Sequence, residues 1–328
     1  MDPIRTAVED RDGRNVDPAQ GILGGEGASQ HVEARRERRE HPALERRAPE
    51  AEEGGPSYYG MPVLKEPVWS WEIPAYFFTG GLAGASAVLG GAAMLAGGVG
   101  TAPLVRRCRL VAAGSAAASA ALLISDLGRP GRFLAMMRVF RPSSPMNMGT
   151  WLLAGFGALS SAAALPAALG RPRGLAADGA ALGAAALAAV VPLPAPLRRA
   201  GDAAGLAAAA LGLPLVGYTG VLLANTAVPV WQSTRNTLPI LFAFSGAVSA
   251  GALFDVWRTP GAGGEMAHRF GLVAKGAEIA LSGALHREAG AVPRVERALR
   301  RGRGGALLQA ARVLLGASAL LDLLPGRS

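Results

Sequence analysis

The side chains in this sequence that could do chemistry are few, and most stand near the ends of apolar runs. Glu72 follows tryptophans at 69 and 71 and opens a run that continues through Gly91. Asp126 and Arg129 stand three apart in SDLGRPGRFLAMMRVF, and Asn147 follows in SPMNMGTW. Tyr218 and Asn225 are seven apart, which places them on one face of a helix. Lys275 and Glu278 are at i, i+3 inside an otherwise apolar segment. These types suit proton exchange and hydrogen bonding, since carboxylates take up protons and phenols and amides donate and accept. A carboxylate near a bilayer boundary faces protein or a polar pocket. Asp126 and Arg129 therefore read either as a clamp that closes a helix or as part of a pocket in which a carboxylate exchanges protons with a bound redox ligand. Lys275 and Glu278 read as a pair that neutralises itself so that its segment can insert, or as a proton relay.

The composition restricts what such residues can serve. Half of the 328 residues are apolar and only 17% are charged, and the mean hydropathy is +0.27, the profile of a polytopic membrane protein. The net charge of +9 is spread over short connections and forms no basic patch interleaved with aromatics, so no nucleic-acid partner is expected. Cys108 is the single cysteine, which removes disulfides, iron–sulfur clusters and thiolate zinc sites. His268 and His286 are about 27 Å apart along one helix, too far to ligate one haem, and no haem or iron–sulfur cluster is expected on this chain. No Walker sequence, dinucleotide fingerprint, HExxH or nucleophile elbow stands in a convincing context.

To position those side chains the sequence offers eight apolar segments against a need of about 20 residues each. They run approximately over 75–97, 105–126, 148–169, 175–197, 203–227, 236–257, 266–286 and 304–324, the seventh being interrupted by Lys275 and Glu278. Residues 1–60, rich in Arg, Glu, Pro and Gly, read as a disordered polar head, and residues 61–328 as the transmembrane domain. Strict alternation of eight spans leaves the Lys and Arg near the spans divided about evenly between the two faces, so the positive-inside rule does not orient the chain. Gly80 with Gly84, and Gly81 with Ala85, have small-xxx-small spacing and are expected to serve close helix approach.

Four pieces carry a resemblance: WEIPAYFFTGGLAGAS at 71–86, LLISDLGRPGRFLAMMRVFRPSSPMNMGTW at 122–151, YTGVLLANTAVPVW at 218–231, and LPILFAFSGAVSAGA at 238–252. With the charged seventh segment they resemble, in order, the NrfD/PsrC family, the membrane subunits of polysulfide reductase and related respiratory complexes. The resemblance implies eight transmembrane helices arranged as two four-helix bundles in the bacterial inner membrane. It also implies a site for an exchangeable quinone, in particular menaquinone, near the face that docks a ferredoxin-like iron–sulfur subunit. Beyond that subunit stands a catalytic subunit of the molybdopterin type. Quinone-site roles carry over by position to Glu72, Asp126, Arg129, Asn147 and Tyr218, with Lys275 and Glu278 as a proton relay. Two other readings are a purely structural anchor and a solute transporter working through Lys275 and Glu278.

Overall fold

The computed structural model describes residues 15–17, 22–24, 70–127, 130–169 and 194–322. In the N-terminal unit, Met1–Val68, β1 (Asn15–Asp17) pairs antiparallel with β2 (Ile22–Gly24), Val16 opposite Leu23. Those six residues lie in the segment expected to be a disordered polar head, the rest of which lies outside the described residues.

In the second unit, Trp69–Ser328, the regular structure among the described residues is all helical. Its helices are α1 (Glu72–Ala96), α2 (Ala102–Asp126), α3 (Phe133–Met136), α4 (Pro145–Leu169), α5 (Ala195–Ala224), α6 (Pro229–Ser233), α7 (Leu238–Val256), α8 (Ala262–Gly290), α9 (Pro293–Arg300) and α10 (Gly302–Asp322). Local chemistry sets the ends. Glu72 lies in the first turn of α1, where a carboxylate complements the helix dipole. Gly97 and Gly98, with φ of 70° and 105°, end α1 in a backbone region that side chains disfavour. Prolines occupy the first turns of α2, α5, α7 and α9, where the missing N–H costs no helical bond.

α1, α2, α4, α5, α7 and α10 are each long and apolar enough to cross a membrane. α8 is long enough at 29 residues, but Lys275, Glu278 and the charges near its ends leave it outside that set, the weakness foreseen for the seventh segment. The predicted fourth segment falls largely on residues 170–193, outside the described residues. Its last residues, with the predicted fifth segment, form the single 30-residue helix α5, so the break expected at 198–202 is absent.

α1 packs against α2 and α5, and α4 against α5 and α2, so these four helices close a ring. α7 lies against α1, α5 and α8, and α10 against α8 and α9. Small residues make the crossings. A Cβ on Gly84 of α1 would lie 2.8 Å from the Gly212 carbonyl of α5, and one on Gly246 of α7 would lie 2.9 Å from the Gly81 carbonyl. Between α7 and α8, a Cβ on Gly251 would lie 2.5 Å from the Gly271 Cα. Gly81 and Gly84 thus serve close approach as expected, whereas a Cβ on Gly80 would meet nothing nearer than 3.7 Å.

The strand of connections also fixes which ends share a side. Arg106 of α2 donates to the Ala167 carbonyl near the end of α4 at 2.8 Å, and Arg109 binds Asp202 in the second turn of α5 at 2.6 Å. The end of α4 and the start of α5 therefore lie together, on what we term the Arg109 face. Strict alternation through a fourth span would have sent α5 the opposite way. Instead its C-terminal end comes to the Glu72 face, with the ends of α2 and α8 and the starts of α1, α4 and α7.

Candidate functional site

On the Glu72 face the chain brings Glu72, Asp126 and Tyr218 to one end of the α1–α2–α4–α5 ring. α1 begins there because Trp71 and Glu72 start a helix that needs no side-chain cap. Ser70, just before it, donates from Oγ to Asp126 Oδ1 at 2.8 Å. That bond fastens the entry of α1 to the exit of α2 and places Asp126 beside the residues flanking Glu72. Leu127 is extended and Pro130 opens a 3-10 turn, so α2 stops at Asp126 and presents its carboxylate at the helix end. Arg129, expected to join it, lies outside the described residues.

The other half of the ring is joined by Tyr218. Its hydroxyl donates to the Pro145 carbonyl at the start of α4, and its ring fills the space a side chain at Gly149 would take. Asn147, two residues beyond Pro145, is committed to the preceding loop: its Oδ1 accepts from the Arg141 amide at 2.7 Å and its Nδ2 donates to the Val139 carbonyl at 3.0 Å. Asn147 thus shapes the approach to α4. Asn225, read as sharing a cavity wall with Tyr218, instead donates back to the Val221 carbonyl of its own helix at 2.8 Å and is exposed.

Between the two halves stands a residue that the sequence reading passed over. Tyr76 is one turn beyond Glu72 on the same face of α1 and is 3% exposed. It lies near Tyr218, and its ring lies beside Gly80. A turn deeper, Thr79 Oγ1 and Ser119 Oγ are 2.7 Å apart across α1 and α2. The sequence signal was the i, i+4 spacing from Glu72. Phe77 turns outward from this group to meet Phe242 of α7 edge-on, ring centroids 5.9 Å apart.

Lys275 and Glu278 do not form the pair expected of them. The Lys275 ammonium is bound by Asp322 at the end of α10, with side-chain exposures of 6% and 14%. Glu278 faces the Ser245 hydroxyl of α7. The i, i+3 spacing allows a pair, but Lys275 points to α10 and Glu278 to α7. Both charges are satisfied across helices, away from the Glu72–Tyr218 group.

The donor set fits a quinone headgroup by its chemistry. A dioxygenated ring needs hydrogen-bond partners at its oxygens, a base able to carry protons and apolar walls. Ser70 and Tyr218, Asp126 with Glu72, and the Tyr76 ring are of those kinds. Tyr218 would exchange its Pro145 partner for such a ligand. A profile described as "Polysulphide reductase, NrfD" matches residues 61–258, a span that includes the whole of this group. No curated protein matches the chain.

Proposed function

The chain belongs to the NrfD polysulphide reductase family, whose members are membrane subunits of quinone-linked oxidoreductase complexes, and from that premise we propose that it is the quinone-reactive subunit of such a complex. It is a multi-pass membrane protein, for which the bacterial inner membrane is the proposed location. The substrate is a quinol or quinone, menaquinone being the proposed form. Electrons pass between it and a ferredoxin-like iron–sulfur subunit on the Glu72 face, and from there to a catalytic subunit of the molybdopterin type. The family's plan of eight spans in two four-helix bundles would take α1, α2, α4 and α5 as one bundle and α7, α8 and α10 as three helices of the other.

The observation that carries this reading is the Ser70–Asp126 bond. It brings a carboxylate to the end of the ring at which Glu72, Tyr76 and Tyr218 also stand. Two-electron oxidation of a quinol releases two protons, and the chain must take them up where they leave. Asp126 and Glu72 are the bases at that end, with Arg129 adjacent in sequence. Ser70 orients the Asp126 carboxylate, and Tyr218 is the donor to a ligand oxygen. Asn147 holds the loop that leads into α4. Lys275 and Glu278 are proposed as a relay for protons farther along the chain, each through its own cross-helix partner. In the reverse direction the same groups deliver protons to a reduced ring.

The test uses the assembled complex carrying Asp126→Asn or Tyr218→Phe. Quinol-dependent electron transfer should fall by about 100-fold, the usual scale of a lost proton-transfer group, while the subunits still co-purify. Unchanged transfer with intact assembly would leave only an anchoring role. Transport of a solute by the chain alone in liposomes would point to a transporter instead.

A further inference from the structure

We propose that the corner between α9 and α10 binds the anionic headgroups of membrane phospholipids. α9 is sharply two-sided. Val295 is 7% exposed, and Leu299 packs with Trp231 on the cluster of Leu223, Leu238 and Leu285. Arg297 and Arg300 face solvent, as do Arg301 and Arg303 just past the helix. Glu296 takes Arg300 at 2.6 Å. Among the described residues, no carboxylate pairs with Arg297, Arg301 or Arg303. Three guanidinium groups thus stand uncommitted within seven residues of chain, on a backbone broken at Gly302 with φ of 75°.

What lies next to them identifies the occupant. α10 packs on α8 and α9 and presents Leu307, Val313 and Leu314 at 72%, 70% and 69% exposure. Only 6% of its apolar window is buried within the protein, so lipid covers it. Arg303 precedes Leu307 by one turn, a rise of about 6 Å, which sets its guanidinium at the level where acyl chains give way to phosphates. Planar guanidinium forks match phosphate oxygens in pairs, and arginines beside a span draw anionic lipid. Among the described residues α10 packs chiefly on α8 and α9 rather than on the ring carrying Glu72, Asp126 and Tyr218, so a subunit seated over that ring leaves this corner to the bilayer. The inference rests on membrane insertion alone and stands apart from the quinone reading.

The experiment measures lipid retention by the full-length protein, purified in mild detergent and supplied with phosphatidylglycerol or phosphatidylcholine, by native mass spectrometry. The wild type should retain phosphatidylglycerol over phosphatidylcholine by at least about tenfold, and high salt should erode the difference. Arg297→Gln/Arg301→Gln/Arg303→Gln should abolish the preference while keeping the thermal transition measured in phosphatidylcholine. Arg198→Gln/Arg199→Gln, on the Arg109 face, should keep it. An equal preference in the triple variant, or none in the wild type, overturns the proposal. So does a triple variant that retains lipid normally but loses co-purification with a partner subunit, which would make the corner a protein-docking surface.

Discussion

Gly149 is where backbone geometry and proposed chemistry meet. The Tyr218 ring lies in the space its side chain would need, so Gly149→Ala must move the phenol away from Pro145 and the α4 start. We expect Gly149→Ala to cost about 1–3 kcal/mol of stability, as overpacking does, and to lower quinol-dependent turnover by about tenfold or more. Gly157, where a Cβ would meet open space, is the matched control, and Gly157→Ala should leave turnover unchanged without lowering stability. Thermal melting in detergent and turnover in the assembled complex check the pair. At this scale the placement of Glu72, Asp126 and Tyr218 near helix ends was legible, because it follows from where the apolar runs stop. The contacts of Asn147 were not: its amide is spent on loop backbone 139–141, a local arrangement that spacing does not reveal. Tyr76 was hidden, since an aromatic in α1 faces lipid, interior or interface with equal ease until its neighbours are known.

α8 and α10 are tied by one buried ion pair, and the energetics of such pairs are asymmetric. Removing one partner strands a charge and costs about 3–5 kcal/mol, whereas replacing both with apolar groups is often neutral. Asp322→Leu should therefore destabilise the protein by about that amount, and Lys275→Met with Asp322→Leu should recover most of it. Thermal transitions of the two variants check this, and a double variant no better than the single one would mean that Lys275 has a second obligatory partner. Proton-coupled turnover in the double variant separately tests the relay role. Most of the helices were legible from their apolar runs. The α5 start was not, because Arg198, Arg199 and Asp202 read as a polar break. Asp202 is in fact held by Arg109 of α2 and Arg198 and Arg199 are exposed on the Arg109 face, so the helix passes through them uninterrupted.

The direction of α5 changes the charge distribution of the whole molecule. Among the described residues, the Glu72 face now holds Arg132, Arg138 and Arg141 before α4, Arg235 before α7, and the six arginines from Arg287 to Arg303 between α8 and α10. The Arg109 face holds Arg106, Arg107, Arg109, Arg198, Arg199, Arg258 and Arg269. Several of these are internally committed, Arg107 stacking 4.8 Å from the Trp257 ring centroid and Arg269 pairing with Glu265. By the positive-inside rule the Glu72 face should be cytoplasmic. The native Cys108 is 0% exposed, so it gives a silent background for cysteine labelling. In intact cells Ser143→Cys should resist a membrane-impermeant maleimide and Ala262→Cys should react. The reverse pattern would turn the site face, and any subunit docked on it, outward.

By itself the sequence determined that this chain lives in a membrane and that most of its polar side chains stand near helix ends. It also carried the family, because hydropathy, a lone cysteine and short polar motifs survive without any knowledge of neighbours. Only the tertiary structure decided which ends share a face and which charge answers which. Those are long-range facts: Ser70 and Asp126 are 56 residues apart in the chain, Lys275 and Asp322 are 47 apart, and Tyr218 and Pro145 are 73 apart. Spacing along one helix says which side chains can meet. Helix packing, set here by glycines at close crossings, says which ones do.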